Sequence, residues 1–125
     1  MWTGADGASR FEEGELQVGP GRHGKASGLP IDVHELSFQE TGGADASAWH
    51  QDPVPQFVIT LAGTIEFEVR SGQRFTIHPG DVLIAQDNTG SGHRWRLVDG
   101  DAWRRAYVIY DDATSLHFRA AGTPA

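Results

Sequence analysis

Apolar and polar positions along this chain alternate in short runs, and no window repeats apolar residues at helical spacing for three full turns. The pattern predicts strands, with helix a minor component. The runs fall at residues 15–18, 31–38, 56–61, 64–70, 73–77, 81–85, 93–98 and 104–110, with turn signals between them. Eight short strands so spaced predict an all-β sandwich or barrel. Leu61-Ala62-Gly63-Thr64 reads as a tight hairpin between two strands. His78-Pro79-Gly80-Asp81 reads as a turn in which proline fixes φ and glycine supplies the unusual one.

In the central run His50 and Asp52 share one parity, which Gln56, Val58 and Thr60 continue beyond the Pro53 to Pro55 corner. Phe57, Ile59 and Leu61 occupy the opposite face. A strand apolar on both faces is expected to be covered on both sides, so the polar His50, Asp52 and Gln56 stand out.

At 125 residues the chain can bury one core and no second one. We expect a single domain over residues 15–119, preceded by a flexible or loosely docked arm (1–14) and followed by a disordered tail (120–125). Sixteen glycines and six prolines fit this turn-rich organisation.

Ten Lys and Arg against seventeen Asp and Glu give a formal charge of −7, a surface that repels phosphate backbones and anionic lipid. Nucleic acid and membrane surfaces are therefore not expected as partners. The absence of cysteine excludes disulfides, thiolate metal sites and cysteine nucleophiles, leaving histidine as the nitrogen ligand. The first fifteen residues lack the apolar stretch of a signal peptide, and no window is apolar enough to span a bilayer, so a cytoplasmic protein is expected.

Two stretches resemble the motifs of the cupin superfamily. In the first, Gly43 is followed after six residues by His50-Gln51-Asp52, after three more by Gln56, and after six more by Gly63. The second runs Gly80-Asp81-Val82-Leu83-Ile84-Ala85, a polar loop, then Gly90-Ser91-Gly92-His93. Its loop is two residues longer than the family pattern, and Leu97 stands where asparagine is usual. The resemblance covers about residues 31–110 and implies a double-stranded β-helix, the cupin jelly-roll barrel.

Carried over position by position, the family's metal ligands fall on His50, His93, Gln56 in place of glutamate and Asp52 in place of the second histidine. Two imidazoles and a carboxylate suit Fe, Mn, Ni or Zn as a divalent metal; no nucleotide cofactor is expected. Without metal, His50 and His93 would serve as acid/base groups with Gln56 holding a developing oxyanion. Asp52 precedes Pro53 and has turn chemistry as its alternative use. Gln56, in a covered strand, has orientation of a substrate or a water as its alternative.

Trp95, Tyr107 and Val58 are the expected walls of the substrate pocket. His34 suits either face of its strand, while His23, His78 and His117 fall in a loop, a turn and near the tail. Arg94, Arg96, Arg104 and Arg105 form either an anion clamp or a solvated outer face paired with Glu66 and Glu68.

The resemblance implies an enzyme acting on a small organic metabolite, of oxygenase, isomerase or cyclase type. The alternative is a non-catalytic cupin that binds a small-molecule ligand without metal. Small cupins commonly pair, so a homodimer is expected, with residues 15–18 extending a partner's sheet.

Overall fold

The structure is a computed structural model, and it describes residues 1–17, 19–20, 26–27, 30–42, 46–111, 116 and 118–121. These contain strands and no helix. The main sheet has five strands: β6 (Val33–Gly42), β7 (Gln56–Val69), β8 (Arg74–Ile77), β9 (Val82–Ala85) and β10 (His93–Tyr110). β6 pairs with β10 and β10 with β7; β8 and β9 line the far side of β7, one on each half.

The hairpin predicted at Leu61 to Thr64 does not form. Residues 56–61 and 64–69 belong to the single strand β7, and residues 93–98 and 104–110 likewise merge into β10. Both halves of β7 pair antiparallel with the same partner, from His93 opposite Val69 to Ile109 opposite Gln56, so the chain bends without reversing. Gly63 makes the bend with φ of 90°, and register shifts in β10 between Leu97 and Arg105 accommodate it. A Cβ at Gly63 would meet the Ala102 carbonyl oxygen at 2.5 Å, so glycine is needed where the two strands approach. Bent strands of this kind turn the corners of a β-sandwich or barrel.

The turn at His78 to Asp81 forms as predicted. The Asp81 N–H donates to the His78 carbonyl at 2.9 Å, the His78 N–H donates to Asp81 Oδ2 at 2.7 Å, and Gly80 takes φ of 94°.

Alternation along the bent strands assigns the two faces. Ile65, Phe67 and Val69 point inward and join Val58, Ile77, Leu83, Ala85 and Trp103 among the buried residues. Outward, Glu66 and Glu68 receive Arg96 at 3.0 Å, Arg94 at 2.6 Å and Arg74 at 3.0 Å, while Arg104 reaches Glu40 at 3.1 Å. These pairs are solvated and each adds little stability. Arg105 departs from this ladder and is buried.

Short strands complete the fold. β1 (Trp2–Thr3) pairs with β2 (Ser9–Arg10), and β3 (Gly14–Leu16) with β11 (Phe118–Ala120); β4 (Gly19–Pro20) and β5 (Ala26–Ser27) form a further pair. Within the stretch 1–14, expected as a flexible or loosely docked arm, residues 1–10 pack against the main sheet's loops: Met1 is buried, its carbonyl accepts from the Gln86 N–H at 2.9 Å, and the Gly7 carbonyl accepts from the Ser91 N–H at 2.8 Å. Among the described residues no helix is long and apolar enough to cross a membrane.

Candidate metal centre

His50 and His93 are brought together by backbone pairing. Each N–H donates to the other's carbonyl, at 2.9 and 2.8 Å, and this places the rings on one side with centroids 4.5 Å apart. Gly92 permits the approach: its φ is 75°, and a Cβ there would collide with the His50 carbonyl oxygen. His50 is exposed, whereas His93 is 1% exposed and packs on the Phe67 ring at 5.7 Å.

Each imidazole has one nitrogen already engaged. His50 Nδ1 lies 2.9 Å from the Ala48 carbonyl, an acceptor only, so Nδ1 is the donor in this bond. His93 Nδ1 lies 2.6 Å from Asp87 Oδ2, which also accepts from Ser9 Oγ at 2.8 Å. His93 Nε2 faces Asp52 Oδ1 at 3.8 Å. His50, Asp52 and His93 thus each offer one ligand atom, all within 4.8 Å of one another. Histidines that hold metals characteristically donate their second nitrogen to a carbonyl or carboxylate, as both do here.

Asp52 turns inward. Its backbone does hold the corner, with its carbonyl accepting from Asn88 Nδ2 at 3.0 Å, but its carboxyl is buried beside Asp87. Burial pushes the Asp52 pKa up to about 9, reinforced by the hydrogen bond and charge of Asp87 and opposed by the Met1 α-amine and the Gln56 amide. Burial acts in the same direction on Asp87, but hydrogen bonds from His93, Asp52 and Ser9 outweigh it and hold that carboxyl below its usual range. One proton is therefore shared by the two acids. Asp52 Oδ2 and Asp87 Oδ1 are buried without a further partner among the described residues.

The shared proton has a measurable consequence in metal-free protein. From about pH 4, where the unfolded Asp52 ionises, to about pH 9, where the folded one does, the native state holds the extra proton. Stability contributed by Asp52 is thus complete below this window and is lost as pH rises through it. We expect the melting temperature in chelator to fall from pH 5 to pH 9, and Asp52→Asn to flatten the slope. An unchanged slope in that variant would refute the shared proton.

The other candidates are dispersed. Gln56 is buried against Asp52. Val58 lies in the core cluster; Trp95 and Tyr107 are half-buried against it. The Trp95 ring packs edge-on to Trp103 at 4.8 Å. Two cavities, of about 610 and 390 Å³, lie elsewhere, one between residues 1–16 and β8–β9 and the other over the arginine–glutamate ladder, where Trp95 contributes to the lining. Neither is lined by His50, Asp52 or His93. His34 and His78 are exposed, the latter 3.4 Å from Asp81; His23, His117 and Gly43 lie outside the described residues. Asp87 and Ser9 were not foreseen. Asp87 sits in the polar loop of the second motif, six residues before His93, where no periodicity marks it.

Residues 38–109 match the family profile Cupin_2, Cupin domain. Over 65 residues the chain is 31% identical to Oryzines biosynthesis cluster protein J of Aspergillus oryzae, covering 52% of this chain and 35% of that protein. The chain thus spans about a third of the length of that curated relative. Among solved structures, a Cupin 2 conserved barrel domain protein from Salinispora arenicola CNS-205 superposes with a TM-score of 0.50 at 17% identity, over 82% of this chain and 83% of the other. The conserved SPY1581 protein of Streptococcus pyogenes superposes with a TM-score of 0.49 at 15% identity, over 70% and 72%. The profile spans more than half the chain and takes in both histidines and the two bent strands, and on that ground the protein belongs to the cupin domain family.

Proposed function

We propose that this cupin is an enzyme that holds one divalent metal on His50, Asp52 and His93 and acts on a small organic molecule in its barrel. The observation that carries this reading is the convergence of three ligand atoms within 4.8 Å, with the second nitrogen of each imidazole already bonded. Two histidines and one carboxylate form the ligand set typical of non-haem Fe(II) sites, and the same donors suit Mn, Ni and Zn. A metal bound there supplies Lewis acidity toward a carbonyl or enolate and, if it is iron, access to dioxygen chemistry. Asp87 fixes the ring and tautomer of His93, and Gln56 orients the Asp52 carboxyl. The similarity to a biosynthesis cluster protein supports a metabolic substrate.

A second reading has its own support. Asp87 and His93 form a buried carboxylate–imidazole pair whose free Nε2 can take a proton without any metal. Elemental analysis of untagged protein decides between the two. Near-stoichiometric metal in the wild type that disappears in a His50→Ala, His93→Ala double variant is the expected result. No metal in either protein, even after reconstitution, would sink the metalloenzyme reading and leave the Asp87–His93 pair.

A further inference from the structure

Arg105 is a buried guanidinium that lacks a carboxylate partner among the described residues. It is 5% exposed, and among the described residues no acidic group lies within ion-pair distance of it. The half-exposed Arg10, Arg74, Arg94, Arg96 and Arg104 each have such a partner. Among the described residues exposed Arg70 and half-buried Arg119 also lack such a partner, but a solvated cation needs a counter-charge least and a buried one most, so the lack weighs most on Arg105.

The bonds of the guanidinium show where it is open. Nε donates to the Tyr107 hydroxyl at 3.1 Å, and Nη1 donates to Thr41 Oγ1 at 2.7 Å and to the Trp103 carbonyl at 3.0 Å. All three acceptors are neutral. Nη2 makes no bond to any described residue, and it is not among the polar atoms sealed from solvent without a partner. The plane lies 4.0 Å from the Trp103 ring, with Tyr107 at 5.5 Å and Trp95 at 5.8 Å. Thr41, Trp95 and Tyr107 are half-buried, which leaves this face reachable from solvent. The aromatic rings offset part of the cost of burying the charge, but they supply no counter-charge.

We infer that Arg105 is the anchor for the carboxylate of a small organic acid bound on the inner face of the barrel. This deepens the functional reading and rests on the inner face being the binding surface. The unused N–H groups of Nη2 can each donate a charge-assisted bond to a carboxylate oxygen of a monoanion; a phosphate dianion would demand more donors than remain. The flanking rings suit a flat or apolar body. Phe67 touches both His93, at 5.7 Å, and Trp103, at 5.8 Å, so the anion anchor and the imidazole pair share one face of the sheet. Arg105 would thereby select the substrate class while His50, Asp52 and His93 act at its other end.

The test titrates the full chain with acetate, pyruvate, succinate and benzoate, and with acetamide, succinamide and benzamide as neutral counterparts. Tryptophan fluorescence and the side-chain ¹⁵N resonances of Arg105 are followed as isolated and again in EDTA. Chelation makes the result independent of whether a metal binds, so failure of the metal reading leaves this one standing. At least one carboxylate is expected to bind about tenfold or more tightly than its amide and to shift the Arg105 resonances. Arg105→Gln is expected to abolish that preference while metal content stays at the wild-type level. Equal binding of acid and amide, Arg105 resonances unmoved by every carboxylate, or a preference that persists in Arg105→Gln would each overturn the proposal. The wild-type resonances decide the matter even if the variant does not fold.

Discussion

His93→Ala is expected to abolish metal uptake and to lower the unfolding free energy by about 3–5 kcal/mol, whereas His50→Ala abolishes uptake with little change in stability, within about 0.5 kcal/mol. The asymmetry follows from burial. His93 is enclosed, bonds Asp87 at 2.6 Å and packs on Phe67, so its loss leaves two buried acids without their imidazole. His50 is exposed and its ring bonds only a carbonyl two residues away. Urea denaturation in chelator and elemental analysis of both variants measure the two effects separately. Equal losses of stability would show that His93 is not the structural member of the pair.

Trp103→Ala is expected to cost about 3–5 kcal/mol and Trp103→Phe about 1–2 kcal/mol, read from the midpoints of chemical denaturation. Trp103 is 2% exposed at the centre of an aromatic cluster, edge-on to Phe67 at 5.8 Å and Trp95 at 4.8 Å, with Arg105 stacked at 4.0 Å. Its indole N–H donates to Thr60 Oγ1 at 3.2 Å. Alanine would remove the ring that packs Phe67 beneath His93 and supports the Arg105 guanidinium; phenylalanine would keep most of the packing and lose the hydrogen bond. A loss below about 1 kcal/mol in the alanine variant would place the centre of the core elsewhere.

The core halves of the strands were legible because alternation is a local property. Ile65, Phe67 and Val69 facing inward against Glu66 and Glu68 is what period two dictates, and the Arg94 and Arg96 pairing with those glutamates follows from the same parity. The turn at His78 to Asp81 was legible for a related reason, since proline and glycine restrict φ within four residues. Gly63 shows where local reasoning stops. A positive φ serves a hairpin and a bend equally, and only the shared partner β10 made it a bend.

The same division holds at the site. His50 and His93 could be paired from their motif positions, and Asp52 could be placed near them because two residues along a strand share a face. Nothing in the spacing placed Ser9 on Asp87, or the first ten residues against the loop that carries Asp87, because these contacts join segments about eighty residues apart, and Asp87 meets His93, six residues on, only through the path of an irregular loop that no periodicity describes. Composition and periodicity by themselves determined an all-β chain and its inward positions, and the motif resemblance added two candidate imidazoles. The tertiary structure alone decided which carboxylate shares a proton, which arginine is buried without a counter-charge, and which glycine bends a strand, since each depends on the distance between residues far apart in the chain.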